Sequence, residues 1–167
     1  MTQPVRTTLT LLGLGVLLLV AAVWGWSAAT KPLPAKVDSA ICVDTLVSAG
    51  DQVYPQQVTV SVYNAGRREG LAGRTMQQLK DAGFVQGQAG NAASAKVTTA
   101  AIWTNDPESP DVQLVASYLG KGTKIERRDG PGLGVTVVVG DKFGDLAEGL
   151  PSTEVEADAE ICSPPVD

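Results

Sequence analysis

An uncharged stretch of 21 residues, from Leu9 to Ala29, places the strongest constraint on how this chain folds. A helix rises ~1.5 Å per residue, so this stretch would span roughly 31 Å, about the hydrocarbon thickness of a bilayer. Trp24 and Trp26 lie near its C-terminal end, where indole rings favour the membrane interface. The stretch therefore predicts a transmembrane helix over residues 9–29, after a short cytoplasmic N-terminus of residues 1–8.

A cleaved signal peptide is the main alternative for the same residues. Ser27-Ala28-Ala29 offers the small residues that a signal peptidase needs, and cleavage there would start the mature chain at Thr30. However, the apolar stretch is longer than the usual ~7–15 residues of a signal peptide, and Arg6 is the only basic side chain before it. A buried core helix is disfavoured because the stretch is apolar on every face. We therefore expect an uncleaved anchor.

Cys42 and Cys162 are the only two cysteines of the chain, and they lie near the two ends of the part that follows the apolar stretch. An even number of cysteines outside the cytosol is typical of a disulfide. Such a bridge would close a loop of about 120 residues, worth about 4–5 kcal/mol in the chain-entropy model. Pairing within one chain, pairing between two chains and two unrelated cytosolic thiols are the alternatives. A disulfide favours a single-pass membrane protein whose C-terminal domain is extracytoplasmic.

The composition excludes several classes of function. The chain has no histidine, so Ser-His and Cys-His nucleophile pairs and histidine zinc sites are ruled out, and two cysteines cannot form a four-thiolate metal site. We expect no metal, no cofactor and no enzymatic activity. The carboxylates that could act in catalysis fall where helix caps and turns usually place them: Glu69, Asp81, Asp106, Glu108 and Asp111. A carboxylate-only enzyme acting on glycans is the alternative. The acidic pI of about 4.7 argues against a nucleic-acid partner.

Five strands and two amphipathic helices are predicted between about Gln57 and Gly140. The strands are Val58–Tyr63, Phe84–Ala89, Val97–Trp103, Lys124–Arg128 and Val135–Val139, and the helices are Gly70–Ala82 and Asp111–Leu119. Gly83 is predicted to end the first helix in the left-handed conformation. The order β-α-β-β-α-β with a final strand predicts an α/β (α+β) fold, a split two-layer sandwich with both helices on one sheet face.

The segments on either side of this core differ from it in composition. Residues 30–55 are predicted to form a linker, stiffened by Pro32 and Pro34, and a lead-in that carries Cys42. From Asp141 to Asp167 there are eight acidic residues and one basic residue, whereas residues 52–140 hold nine basic and seven acidic residues. Residues 144–167 are therefore expected to be an acidic, solvated tail that Cys162 tethers to the domain.

One segment resembles a known family. Val60-Ser61-Val62-Tyr63-Asn64-Ala65-Gly66, followed by Gly70-Leu71-Ala72-Gly73, is similar to the LytR C-terminal domain family. Ala82-Gly83-Phe84, Gly90-Asn91 and Gly140-Asp141 extend the resemblance over residues 56–143. In that family the domain often follows a LytR-CpsA-Psr catalytic domain, which attaches glycopolymers to the bacterial wall. The resemblance implies a non-catalytic role in cell-envelope integrity, with a wall glycopolymer or an envelope protein as partner, and it supplies no catalytic residues.

A loop from Gly66 to Gly70, which contains Arg67 and Arg68, is the main candidate for binding an anion or polymer. It precedes a helix N-terminus, where free backbone N–H groups and the helix dipole favour anions, and arginine adds bidentate donors. The alternative is that Gly66 and Gly70 only permit the turn while Asn64 caps it.

Arg127 and Arg128 form a second basic candidate. They are predicted to lie on opposite faces of a strand, one on a basic surface and the other paired with Glu126 or Asp129. A third hypothesis for function is a self-associating stalk that uses the sheet face without helices.

Overall fold

The computed structural model describes residues 3–29 and 42–165, and the chain divides into two compact units, residues 1–38 and 39–167. In the first unit, helix α1 (Gln3–Ala29) includes the predicted span 9–29. Over the described residues, no helix combines the length and the apolar character that crossing a membrane requires. The predicted linker at Lys31-Pro32-Leu33-Pro34 lies outside the described residues.

The second unit contains nine strands, two α-helices and a short 3₁₀ helix at Pro55–Gln57, counted over residues 42–165. In chain order its elements are β1 (Val43–Val47), β2 (Gln52–Val53), β3 (Thr59–Asn64), α2 (Leu71–Asp81), β4 (Val85–Asn91), β5 (Ala100–Thr104), α3 (Pro110–Leu119), β6 (Lys124–Arg127), β7 (Val135–Val139), β8 (Thr153–Glu154) and β9 (Ala159–Ser163). All five predicted strands and both predicted helices of the core are present. The mixed α/β fold class is confirmed.

The main sheet has the strand order β4-β3-β7-β5-β6. Strand β3 is parallel to both β4 and β7, β5 is antiparallel to β7, and β6 is parallel to β5. The two strands joined through each helix therefore pair directly with one another. This pairing differs from the expected split arrangement, in which another strand would separate them. Instead, β7 lies between two complete β-α-β units.

The end of α2 shows how local sequence fixes the chain path. Gly83 has φ +100°, a conformation that side-chain-bearing residues rarely adopt. Its N–H donates to Lys80 O at 2.9 Å, and the N–H of Phe84 donates to Leu79 O at 3.0 Å. These two hydrogen bonds form a Schellman motif, so the predicted left-handed end of the helix is confirmed. The buried Phe84 ring then leads the chain into β4.

Both helices pack on one face of the sheet. Leu71, Met76 and Leu79 of α2 and Val112, Leu114, Val115 and Leu119 of α3 join alternate residues of β3, β5 and β7 in the main core. On the opposite face, Tyr63, Ala101, Trp103 and Val138 form a second cluster with Ala65, Ala92, Ala95 and Val97. Tyr63 and Trp103 are only 8% and 6% exposed. This face is therefore covered, and the apolar surface that the self-associating stalk required is not available there.

The C-terminal segment is folded onto the domain rather than free in solvent. Strand β9 pairs antiparallel with β1, β8 pairs antiparallel with β2, and the side chains of Val155 and Ile161 are fully buried. Cys42 and Cys162 form a disulfide within the chain, with their Cα atoms 5.3 Å apart. The expectation of a solvated tail is thus wrong for these strands. The two short sheets and the disulfide tie the two ends of the domain together.

A candidate loop at the carboxyl end of β3

The loop from Asn64 to Gly70 lies where β3 ends and is organised by the Asn64 side chain. Asn64 is buried, and its Oδ1 accepts a hydrogen bond from the Gly66 N–H at 2.8 Å. Its Nδ2 donates to Arg68 O, also at 2.8 Å. One amide side chain therefore closes the loop at both ends, as the capping alternative for Asn64 predicted.

The carboxylate of Asp141 occupies the backbone donors of this loop. Its Oδ1 accepts hydrogen bonds from the N–H groups of Arg67, at 2.7 Å, and Arg68, at 3.1 Å. Gly66 is needed here because a Cβ at this position would overlap the Asp141 side chain. The free amides that suggested an external anion thus bind an anion that the protein supplies itself, from the residue just after β7.

The two arginines of the loop have different roles. The guanidinium of Arg68 donates to Asp141 O at 3.2 Å and to Phe143 O at 2.6 Å, so it holds the chain that follows β7. The Arg67 side chain is exposed and makes no ion pair with any described residue. Of the two, Arg67 is the one whose charge is directed to no internal partner.

A shallow crevice of about 240 Å³ lies beside the loop, between the carboxyl ends of β3 and β4 and the start of α2. It is lined by Asn64, Gly70, Leu71, Ala72, Gly73, Ala89, Gly90 and Asn91. Gly70 caps α2 with φ +70° and offers no side-chain hydrogen bond, and the first turn of α2 has no acidic residue. The crevice therefore combines backbone donors with Asn91, a chemistry suited to hydroxyl or anionic groups.

Arg127 and Arg128 lie at the other end of the sheet. Arg127 is level with Thr104 at the carboxyl ends of β5 and β6, whereas Asn64 is level with Val139 at the carboxyl ends of β3 and β7. Since β5 and β7 are antiparallel, Arg127 and Asn64 lie at opposite ends of the strands. The structure therefore does not bring the two basic candidates together.

The ion pair that was expected between one of these arginines and Glu126 or Asp129 is not found in the described part of the chain. Arg128 instead lies over the Trp103 ring, with its Cζ 3.9 Å from the ring centroid. Asp129 accepts a hydrogen bond from Asn105 Nδ2. A cation over an indole face is attracted by the ring quadrupole, which explains why Trp103 competes with the carboxylates.

A cleft of about 590 Å³ that the sequence did not predict lies between the start of α3 and the β8–β9 segment. Its acidic lining consists of Asp106, Glu108, Glu154, Glu156 and Asp158. The only signal in the sequence was the density of acids in both segments, and nothing there indicated that they meet. No group of ligands suited to a metal ion is found among the described residues.

Asp111 is a buried carboxyl close to this cleft but is not part of its lining. Burial raises its pKa, although hydrogen bonds from the Ser109 hydroxyl and, at 2.8 Å, from the Val112 N–H oppose this effect. The carboxyl with the raised pKa thus lies in the first turn of α3 and is hydrogen-bonded to residues beside it. A glycosidase would instead need it in the cleft beside a second acid.

Comparisons with known proteins bear on the same residues. The family described as LytR cell envelope-related transcriptional attenuator, the LytR C-terminal domain family, matches residues 57–143. The chain belongs to this family. The LytR C-terminal match runs from the end of the 3₁₀ helix, two residues before β3, to the turn after β7, so it includes the candidate loop, the crevice and Asp141.

Among solved structures, the chain is similar to the soluble domain of a conserved hypothetical secreted protein from Mycobacterium marinum, the Rv2700 ortholog. The two are 24% identical, the match covers 61% of this chain and 69% of that chain, and the TM-score is 0.44. No curated protein matches the chain.

Proposed function

We propose that this protein is a membrane-anchored, extracytoplasmic and non-catalytic module that supports the bacterial cell envelope by binding a wall or envelope polymer. Membership of the LytR C-terminal domain family is the observation that carries the proposal. The order of segments also resembles that of the actinobacterial cell-envelope-integrity protein: an apolar N-terminal helix, one LytR C-terminal domain and two flanking cysteines.

The disulfide supports an extracytoplasmic location. It links Cys42 to Cys162 across 120 residues and ties β1 to β9, so it is part of the domain's architecture. Structural disulfides persist in oxidising compartments and are rare in the bacterial cytosol.

The N-terminal helix supports the anchor. Residues 9–29 carry no charge, and large apolar side chains of α1 between Leu11 and Trp26 are exposed, with Leu17, Leu18 and Leu19 each 68–69% exposed. Such a surface is stabilised in lipid because burying apolar area is favourable. In this proposal the helix holds the domain next to the membrane and below the wall.

The crevice beside the candidate loop is the surface that we assign to the polymer. It combines the first-turn amides of α2 with Asn91, and the charge of Arg67 lies close by on the loop. A polymer that carries hydroxyl, carboxylate or phosphate groups matches these donors. The surface holds no nucleophile and no base, so the proposed activity is binding alone.

Co-sedimentation with purified bacterial cell walls tests this function, using the full-length chain in detergent micelles. We expect the wild-type chain to pellet with the walls and Arg67→Ala to pellet several-fold less. Lys80→Ala is the matched control, because it removes one exposed positive charge at the far end of α2. A wild-type chain that stays in the supernatant contradicts the proposal, and equal losses in both variants would reduce the effect to net charge.

A further inference from the structure

A glycine-rich strap covers the sheet face opposite the helices. We use "strap" for residues 129–134, Asp-Gly-Pro-Gly-Leu-Gly, which join β6 to β7. A Cβ at Gly130 would overlap Thr136, one at Gly132 would overlap Ser61, and one at Gly134 would overlap the Thr59 carbonyl. The strap therefore lies directly on the side chains of β3 and β7, at a distance that only glycine permits.

Few interactions hold the strap down. The backbone of residues 129–133 makes one hydrogen bond within the described part of the chain, in which Leu133 O accepts from Ser61 Oγ at 2.7 Å. Just before the strap, the exposed guanidinium of Arg128 lies over the Trp103 ring. Leu133 is 41% exposed, so it anchors the strap only weakly in the core. Segments that are held by so few hydrogen bonds and bury so little apolar side-chain area open at low free-energy cost.

Polar groups under the strap and Arg128 have no partner. The hydroxyls of Thr59 and Thr136 and the indole N–H of Trp103 are buried without a hydrogen bond, and these residues are 0%, 1% and 6% exposed. The three residues lie close together in the sheet. Trp103 on β5 is level with Thr136 on β7, and Thr136 is level with Ser61 on β3. Thr59 is two residues before Ser61 on the same strand. Leaving a buried polar group without a hydrogen bond is unfavourable, because the group has lost its bonds to water. Three in one patch favour an occupant that can bond to them.

We propose that the strap is a lid over a binding surface for a neutral sugar ring of an envelope glycan. This inference rests on the proposed function, because it supplies a second subsite for the same class of polymer. When the strap lifts and Arg128 moves aside, the Trp103 ring becomes a stacking platform. The indole N–H and the two threonine hydroxyls then bond to the hydroxyl groups of the sugar.

The chemistry of the patch selects a neutral polyol. An indole N–H only donates, whereas a threonine hydroxyl both donates and accepts, so the occupant must also offer both. Glu126 is level with Trp103 in the sheet, and Asp129 begins the strap. These two acids flank Arg127 and Arg128 in the chain, so the four charges cancel. This balance disfavours an anionic ligand. A pyranose ring supplies hydroxyls at its edge and an apolar face for the indole.

The test uses the full-length chain with Trp24→Phe and Trp26→Phe, which leaves Trp103 as the only indole. Acrylamide quenching then reports exposure of Trp103. The probes are neutral tetrasaccharides of N-acetylglucosamine, glucose, galactose and mannose. Gly132→Ala displaces the strap through its overlap with Ser61, whereas Gly144→Ala is the matched control, because a Cβ there meets nothing within 4 Å. Arg128→Ala uncovers the ring without altering the backbone.

We expect Gly132→Ala and Arg128→Ala to increase quenching of Trp103, and at least one tetrasaccharide to reverse it in a saturable way. Because opening raises the binding-competent fraction, the apparent affinity should rise about tenfold over the parent, and Gly144→Ala should match the parent. If no tetrasaccharide protects Trp103 in Arg128→Ala, the inference is wrong even where Gly132→Ala fails to fold. If the chain pellets with cell walls but no tetrasaccharide protects Trp103, only the lid proposal is wrong. If the chain neither pellets with walls nor is protected, the proposed envelope function is wrong as well.

Discussion

The candidate loop after β3 and the strap before β7 treat their polar groups in opposite ways. In the loop, Asn64 and Asp141 satisfy the backbone donors that made it a candidate anion site. Under the strap, two hydroxyls and an indole N–H are buried without a partner. The Arg67-Arg68 motif, which is conspicuous in the sequence, thus uses several of its hydrogen-bond donors within the fold. The plain glycine-rich segment covers the polar groups that the fold leaves unused.

This contrast shows why charge in a sequence is a weak guide to a binding surface. Arg68 is spent on two carbonyl groups and only Arg67 remains free to act outward. Buried polar groups without partners carry more information, because a protein retains them against a free-energy cost.

The largest expected loss of stability comes from removing the disulfide that closes the domain. Replacing Cys42 and Cys162 with serine should lower the free energy of unfolding by about 4–5 kcal/mol, because the unfolded chain regains the entropy of a 120-residue loop. Urea denaturation at equilibrium measures this difference. A change below about 1 kcal/mol would mean that β1 and β9 hold the ends together without the disulfide.

Removing the Asp141 carboxylate should destabilise the candidate loop. Asp141→Ala takes the acceptor from two backbone N–H groups, and we expect a loss of about 2 kcal/mol in the free energy of unfolding. The matched control is Asp145→Ala, whose carboxylate accepts one exposed bond from Gln78, with an expected change within about 0.5 kcal/mol.

Inorganic phosphate sharpens the same experiment. The emptied amides of Asp141→Ala should bind phosphate, so phosphate should restore part of the lost stability relative to chloride at equal ionic strength. The wild-type protein should gain clearly less stability from phosphate, because Asp141 already occupies these two amides. A phosphate effect of equal size in both proteins would contradict the assignment of the loop amides to Asp141.

Removing each of two hydroxyls on the covered face should change the free energy of unfolding differently. Ser61→Ala removes bonds to Leu133 O and from the Gln88 N–H and should cost about 1 kcal/mol. Thr136→Val removes a buried hydroxyl without a partner and should leave stability unchanged or raise it by up to about 1 kcal/mol. Chemical denaturation compares the two. A loss in Thr136→Val as large as that in Ser61→Ala would remove the distinction on which the strap proposal depends.

The smallest effect tests a carboxyl that is buried yet satisfied by hydrogen bonds. Burial raises the pKa of Asp111 in the folded state above its unfolded value. The folded state therefore binds more protons between the two values, and this contribution to stability is lost as pH rises through the folded pKa. Asp111→Asn should gain stability relative to the wild type between about pH 3.5 and pH 7. Denaturation midpoints at the two pH values measure this, and a constant difference would contradict it.

The local elements were predictable because their signals are local. Alternation of apolar residues marked β3, helical spacing marked α2, and Gly83 marked its end. Strand pairing was not, since both the split arrangement and the observed order share the same sequence of elements. The β8–β9 segment was missed because Val155 and Ile161 are isolated among acids, and only pairing with β1 and β2 buries them. Asp141 lies 74 residues from Arg67, so no spacing rule could connect them.

In the function proposed above, a disulfide-closed domain works outside the cytoplasm, at the membrane. Non-reducing peptide mapping of the full-length chain, recovered from bacterial membranes under thiol-blocking conditions, tests it most directly. We predict an intact N-terminus and a linked peptide pair that contains Cys42 and Cys162. Two blocked free thiols would contradict the extracytoplasmic location, and a chain beginning at Thr30 would contradict the membrane anchor.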